Sequence, residues 1–195
     1  MRRTRTRNTP TEQESAILKA AAEEVALVGV GRLSVDVVAR QAGVSRSTLY
    51  RRFPTRDALI TELGRQTFDF AMARLQTVAI DSGPQQAAVA AFTEGVRLLT
   101  GEPVMRRFLQ LDREFTATTE MVEEARLFLV SAATAMAKAL RAAGAGMPDD
   151  ELLAVAEIHI RLAASLVQVS SDVLDVGDDE AVARYARTYL APLVH

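Results

Sequence analysis

The stretch from Leu33 to Pro54, LSVDVVARQAGVSRSTLYRRFP, constrains the fold more than any other part of the chain. Ser34 is a good N-cap, and the apolar residues after it have the i, i+3, i+4, i+7 spacing of one helix face. Gly43 suits the left-handed position that ends this helix, and Ser45 suits the cap of the next one. The stretch therefore predicts two short helices joined by a tight turn.

The second of these helices has an outward surface rich in hydrogen-bond donors. Only Leu49 and Phe53 are large and apolar, and their i, i+4 spacing puts them on one face. The outward residues are Arg46, Ser47, Thr48, Tyr50, Arg51 and Arg52. Donors near a helix N-terminus suit phosphate oxygens and major-groove base edges, and arginine can pair with guanine through two hydrogen bonds. The pattern predicts a DNA-binding helix-turn-helix, with a solvated helical hairpin as the alternative.

Different roles are expected within this donor set. Base-edge contacts are expected from Arg46, Ser47 and Arg51. Contacts to the phosphate backbone are expected from Thr48, Tyr50, Arg52 and, at the start of the following helix, Arg56. The expected partner is double-stranded operator DNA.

Residues Leu33 to Leu59 resemble the N-terminal domain of the tetracycline-repressor (TetR) family of bacterial transcriptional regulators. In that family a run like VSRSTLYRRFPTRDAL is characteristic of the recognition helix and of the start of the next helix. Arg52 stands where histidine is common in the family, Arg56 stands where lysine is common, and both keep a positive donor. Beyond this region the family shares an all-helical plan rather than motifs, so the resemblance implies a ligand-binding bundle without naming its ligand.

Charge is distributed unevenly along the chain. Residues 1–60 contain eleven Lys and Arg against six Asp and Glu, whereas the remainder contains twelve basic and nineteen acidic residues. The basic part is expected to bind a polyanion, and the predicted recognition helix lacks the wide apolar face of a membrane-surface helix. The sequence also has no run of eighteen apolar residues and no signal-peptide core, which predicts a cytoplasmic protein without a membrane partner.

The inventory of reactive side chains argues against an enzyme. The chain has no cysteine, its two histidines are His159 and His195, and it lacks a glycine-rich phosphate loop. Neither a histidine metal cluster nor thiol chemistry is therefore expected, and we predict no metal, no cofactor and no catalytic residue.

Residues 1–9 are expected to form a disordered basic arm, because Arg2, Arg3, Arg5 and Arg7 alternate with small polar residues. Such an arm can enter the minor groove of A·T-rich DNA, and a solvated tail is the alternative. Residues 10–60 are expected to form the helix-turn-helix domain, whose first helix begins with Pro10 in the first turn and a capping box of Thr11 and Glu14.

The predicted fold is all-α, with a three-helix N-terminal bundle followed by a larger helical effector-binding and dimerisation domain over residues 61–195. Helices are expected near 56–80, 84–99, 102–115, 118–143, 149–174 and 178–192, separated by Gly and Pro breaks. The first of these would connect the two domains and would serve as the lever between them.

Large flexible apolar side chains in the middle helices suggest a pocket for an amphipathic small molecule, although such residues also occur as plain core. The candidate pocket residues are Phe68, Met72, Phe92, Phe108, Arg113, Phe115, Phe128 and His159. The last two helices carry apolar stripes that would form a four-helix interface between two copies, with packing inside one subunit as the alternative. The candidate interface residues are Leu162, Leu166, Val169, Val182, Tyr185 and Tyr189.

These patterns together predict a homodimeric repressor that binds a palindromic operator and is released by a small apolar or amphipathic effector. A DNA-binding regulator that is controlled by a protein partner, or that has no ligand, is the alternative.

Overall fold

The computed structural model describes residues 9–78, 83–109 and 119–195, and it describes 76, 78 and 119–125 by their backbone alone. Within these ranges the chain is helical, as predicted, and it forms no strand. It divides into two compact units between Gln66 and Thr67. Residues 1–8 of the predicted basic arm over residues 1–9, and the candidate pocket residues Arg113 and Phe115, lie outside the described residues.

From residue 9 onward, the first unit contains four helices and one short 3-10 turn. The helices are α1 (Pro10–Val28), α2 (Val35–Gln41), α3 (Arg46–Arg52) and the beginning of α4 (Arg56–Val78), and the 3-10 turn spans Val30–Arg32. The core of this unit contains the completely buried side chains of Ile17, Val25, Val38, Leu49 and Leu59. The helical spacing of these apolar positions brings α1, α2 and α3 around one interior.

The N-terminus of α1 differs from the sequence-based prediction. The capping box is formed by Thr9 and Glu12, because the Thr9 hydroxyl accepts from the Glu12 amide at 3.2 Å and the Glu12 carboxylate accepts from the Thr9 amide at 2.6 Å. The predicted box of Thr11 and Glu14 was wrong by two residues. Pro10 occupies the first position of the helix, where a missing N–H removes no intrahelical hydrogen bond, so the cap falls directly before it.

In its described residues, the second unit contains the end of α4 and five further helices: α5 (Pro84–Gly101), α6 (Pro103–Leu109), α7 (Thr119–Ala142), α8 (Asp149–Gln168) and α9 (Asp179–Tyr185). Helix α5 is apolar on two faces. Ala87, Ala88 and Ala91 pack with residues of α7 and α8, whereas Val89 and Phe92 pack with α8 and the C-terminal segment. A helix that is apolar on both sides is buried between its neighbours, so α5 lies at the centre of this unit.

Two predicted helices end earlier than expected. The helix predicted over 149–174 ends at Gln168, after which the Ser171 hydroxyl accepts from the Val173 amide and the Asp175 carboxylate accepts from the Gly177 amide. Side chains that bind nearby amides compete with helical hydrogen bonds. The last helix keeps regular α geometry only to Tyr185. It continues as a π-helix over Ala186–Leu190 and as a 3-10 turn over Ala191–Leu193. Pro192 has no N–H for a helical hydrogen bond.

Candidate DNA interface

The turn between α2 and α3 has the predicted geometry. The Ser34 hydroxyl accepts from the Val37 amide at 3.5 Å, and the Ser45 hydroxyl accepts from the Thr48 amide at 3.1 Å. Gly43 has a φ of 67°, a left-handed conformation that residues with a Cβ rarely adopt. Both helices of the motif are therefore capped by the residues that the sequence indicated.

Two apolar side chains anchor α3, and the other side chains of this helix are exposed or half-buried. Leu49 is completely buried and Phe53 is 7% exposed, so this pair holds the helix against the core. Arg46, Ser47 and Arg51 are exposed, and Thr48, Tyr50 and Arg52 are half-buried. The arrangement leaves three long or polar side chains on the outward face, where they can reach a groove.

Arg46 is held by two neighbouring side chains. Its Nη1 lies 3.0 Å from Asp36 Oδ1 and 3.2 Å from Asp36 Oδ2, and its Cζ lies 5.6 Å from the centre of the Tyr50 ring. Tyr50 and then Asp36 raise the pKa of Arg46 above its ordinary value. The guanidinium remains charged and sits in a defined place although it is exposed.

The hydroxyl groups at the start of α3 form a small network. The Ser45 hydroxyl lies 2.9 Å from the Ser47 hydroxyl and 2.9 Å from the Thr48 hydroxyl. Because the Ser45 oxygen also accepts the Thr48 amide, the network strengthens the helix cap. Thr48 therefore has a structural role in addition to the phosphate contact that the sequence predicts.

Arg52 connects α3 to α1. Its Nε and Nη2 donate to Gln13 Oε1 at 3.3 and 3.1 Å, and its Nη1 lies 3.8 Å from Glu14. The side chain is only 19% exposed. Most of its donors thus bind side chains of α1 within the same unit. The sequence reasoning missed this role because Gln13 lies 39 positions away.

Arg56 binds the backbone of the 3-10 turn. It donates to the carbonyl oxygens of Val30, Gly31 and Leu33, at 3.0 Å to Gly31 and 3.2 Å to Leu33. Carbonyl groups at the end of a short helix need donors from elsewhere, and this guanidinium supplies them. The sequence contained no signal for this role, because the carbonyls lie 23 to 26 positions before Arg56.

We expect opposite consequences for two arginines of this region. Arg51→Ala should leave unfolding stability within about 0.5 kcal/mol of the native protein, because the Arg51 side chain is exposed and makes no hydrogen bond or ion pair with the described residues, but it should weaken DNA binding. Arg56→Ala should cost about 1–3 kcal/mol, because it leaves carbonyl groups without a donor. Urea unfolding and fluorescence anisotropy with duplex DNA measure both effects. An Arg56→Ala protein as stable as the native one would contradict the structural role.

The described candidate pocket residues form two aromatic pairs in the second unit. The rings of Phe68 and Phe128 have centroids 4.5 Å apart, and Phe92 meets His159 edge to face at 6.2 Å. Two further members occupy other surroundings. Met72 packs against the buried cluster of Ala71, Leu98 and Met105, and Phe108 is half-buried.

His159 is the most distinctive of these residues. It is 1% exposed, its Nδ1 lies 2.7 Å from the Val155 carbonyl oxygen, and its Nε2 has no hydrogen-bond partner among the described residues. Burial lowers the pKa of His159, and the hydrogen bond to Val155 acts in the opposite direction. The neutral ring therefore donates through Nδ1 and presents Nε2 as a buried acceptor.

An ion-pair network that the sequence analysis missed joins three helices of the second unit. Glu94 on α5 is 4% exposed, and its carboxylate lies 2.6 Å from Arg74 on α4 and 3.1 Å from Arg97. Arg97 also lies 2.6 Å from Asp179 on α9. Only the Glu94 and Arg97 pair has a local spacing, i and i+3, that sequence inspection can detect.

The candidate interface residues separate into surface and core. Val169 and Tyr189 are 55% and 62% exposed, whereas Val182 is 1% exposed. Leu162, Leu166 and Tyr185 are partly buried against the cluster that contains Val182. The placement of Val182 at an interface was wrong, because its side chain faces the interior of its own unit. Ile158 and Val173, at 49% and 84% exposed, are additional apolar surface residues.

No helix within residues 9–78, 83–109 and 119–195 is long and apolar enough to cross a membrane.

Comparison with known proteins agrees with the geometry of the first unit. The family model described as "Bacterial regulatory proteins, tetR family" matches residues 17–63. An uncharacterized HTH-type transcriptional regulator of Mycobacterium tuberculosis (strain CDC 1551 / Oshkosh) is 28% identical over 160 residues, which cover 82% of each chain. The matched region contains α1 from Ile17 onward, α2, α3 and the start of α4, including the turn at Gly43.

Solved structures share the fold over nearly the whole chain. The fatty acid degradation regulator FadR of Bacillus halodurans has a TM-score of 0.68 at 13% identity, covering 95% of this chain and 97% of that one. The TetR family repressor AlkX of Dietzia sp. strain DQ12-45-1b has a TM-score of 0.59 at 18% identity, covering 92% and 93%. The chain is therefore similar to TetR-family transcriptional regulators in its helix-turn-helix, which the family model matches, and in its fold, which it shares with the repressor AlkX.

Proposed function

We propose that this regulator is a homodimeric repressor that binds a palindromic operator and is released by a small apolar or amphipathic effector. Residues 10–60 are assigned to DNA binding, and residues 61–195 to effector binding and dimerisation. The observation that carries the DNA-binding part is the outward face of α3, where Arg46, Ser47 and Arg51 stand exposed beside a buried Leu49 anchor.

The contacts to DNA follow from the positions of these side chains. Arg46, Ser47 and Arg51 are proposed to read base edges, and Tyr50 is proposed to bind a phosphate. Thr48, Arg52 and Arg56 are engaged within the unit, so their proposed contribution is mainly to hold α3 in place and to add positive potential.

Exposed apolar side chains support the dimer. Ile158 and Val169 lie in or just after α8, Tyr189 lies in the C-terminal segment, and each is about half or more exposed in the single chain. Large apolar side chains that are exposed in the single chain are unfavourable in water and occur where a surface binds another protein surface. A second copy fits this requirement, because a palindromic DNA site is read by two symmetry-related recognition helices.

Two observations support an apolar effector. Phe92 and His159 lie among buried apolar residues of α5 and α8, and His159 Nε2 is an acceptor without a partner among the described residues. A buried acceptor of this kind suits a ligand that combines an apolar body with one donor group. Two proteins with the same fold also carry names that point to apolar substrates, since AlkX is implicated in biodegradation of n-alkanes and FadR regulates fatty acid degradation.

The proposed response passes through α4. This helix begins at Arg56, which is fixed to the backbone of the first unit, and its later part carries Arg74, which is fixed to Glu94 in the second unit. A continuous helix with both parts anchored transmits a displacement with little loss, and a dimer on DNA tolerates little change in half-site spacing. A coupling free energy of about 1–3 kcal/mol would lower operator affinity about 5- to 150-fold.

Reciprocal linkage tests this proposal. A library of fatty acids, fatty alcohols, alkanes and aromatic drugs is screened by thermal shift, because a ligand bound by the native state raises the melting temperature. Each compound that binds is then titrated by calorimetry with and without a DNA duplex selected from random sequences. We expect DNA to weaken the binding of the compound by the same factor by which the compound weakens the binding of DNA. Equal affinities in both titrations would show that the compound is no inducer, and a chain that selects no duplex would contradict operator binding itself.

A further inference from the structure

We propose that Asp36 is a specificity-determining positioning residue, which holds Arg46 through one nitrogen so that the rest of its guanidinium can read a guanine. The inference rests on the proposed base-edge role of Arg46. It concerns a residue of α2 that lies ten positions before Arg46.

The geometry of the ion pair carries the inference. Both carboxylate oxygens of Asp36 approach the same atom, Arg46 Nη1, at 3.0 and 3.2 Å. Asp36 therefore does not use the edge formed by Nε and Nη2. That edge presents two parallel donors, which match the O6 and N7 acceptors of guanine in the major groove.

Tyr50 restricts the same guanidinium from another direction. The Arg46 Cζ lies 5.6 Å from the centre of the Tyr50 ring, a cation–π contact that acts on a ring face. The Tyr50 contact and the Asp36 ion pair together limit the rotation of a long, exposed side chain. A donor edge that is oriented before binding loses less side-chain entropy when it meets a base.

Arg51 provides the contrast within the same helix. It is exposed like Arg46, yet its side chain makes no hydrogen bond or ion pair with the described residues. An arginine side chain without such a support can bind phosphate oxygens as well as a base edge. The structure therefore assigns oriented base reading to Arg46 and leaves Arg51 as the internal control.

A carboxylate near DNA can act in two other ways, and these make different predictions. If Asp36 only repelled phosphates, its removal would raise affinity for every duplex by a similar factor. If it only competed with DNA for Arg46, its removal would raise affinity for the preferred duplex at least as much as for others. A positioning role alone predicts that affinity for the preferred duplex falls while affinity for unrelated DNA stays the same or rises.

The experiment uses the full chain and two duplexes, one selected from a random library and one with the same base composition in shuffled order. Asp36→Ala is expected to weaken binding to the selected duplex about three- to tenfold and to change binding to the shuffled duplex little, or to raise it up to about threefold. Circular dichroism melting of each variant confirms that the fold is retained. A higher affinity of Asp36→Ala for both duplexes would overturn the inference.

A double-mutant cycle identifies the residue through which Asp36 acts. Arg46→Ala should remove a guanine preference of about 5- to 150-fold at one base pair of each half-site, and adding Asp36→Ala to it should then have no further effect on that preference. In the Arg51→Ala background, Asp36→Ala should keep its whole effect. Full additivity with Arg46→Ala would overturn the positioning role, whereas a guanine preference that survives Arg46→Ala would refute base reading by Arg46. Failure to select any duplex would instead contradict the proposed function.

Discussion

Val182→Asp is expected to unfold the second unit, whereas Val169→Asp is expected to give a folded monomer. Val182 is 1% exposed, so an aspartate there buries an unpaired charge at a cost of several kcal/mol, a large part of the stability of a typical domain. Val169 is 55% exposed in the single chain, so the same substitution leaves the monomer intact and places a charge in the proposed interface. Sedimentation velocity and circular dichroism melting separate the two outcomes.

Val130→Asp is the matched control for this comparison. Val130 is 47% exposed on α7, outside the proposed interface, so the variant should remain a folded dimer. Loss of the dimer should also reduce operator affinity strongly, because a monomer contacts one half-site only. A Val169→Asp protein that still sediments as a dimer at micromolar concentration would place the interface elsewhere. A native protein that sediments as a monomer at the same concentration would contradict the proposed dimer.

Leu49→Ala is expected to destabilise the first unit by about 2–5 kcal/mol and to abolish selective DNA binding. Leu49 is completely buried and is the main apolar anchor of α3, so its truncation leaves a cavity under the recognition helix. Hydrogen exchange with mass spectrometry measures the effect locally, and protection should fall across residues 10–60 while the second unit retains it.

Leu27→Ala controls for the chemistry of the substitution. Leu27 is 72% exposed on α1, so the same truncation there should change stability by no more than about 0.5 kcal/mol. Equal loss of protection in both variants, or unchanged protection in Leu49→Ala, would contradict the anchoring role of Leu49.

The candidate DNA interface shows where reasoning from sequence succeeds and where it ends. The caps at Ser34 and Ser45 and the turn at Gly43 were predictable, because each depends on hydrogen bonds or backbone angles within about five residues. The division between the buried Leu49 and Phe53 and the exposed donors was also predictable, because one helical turn separates the two apolar residues. The roles of the arginines were less predictable, because four similar side chains in a short segment carry the same local signal.

Local patterns by themselves determined that this chain is all-α, that α2 and α3 form a capped helix pair and that α3 faces outward, because helix spacing and capping depend on near neighbours in sequence. Only the tertiary structure decided that Arg52 binds Gln13, that Arg56 binds the carbonyls before α2 and that Asp36 supports Arg46. It also decided that Val182 is core and that Glu94 joins two arginines. These residues contact partners that are distant in sequence, and only the packing of the helices brings them together. The same packing determines which side of each helix is buried.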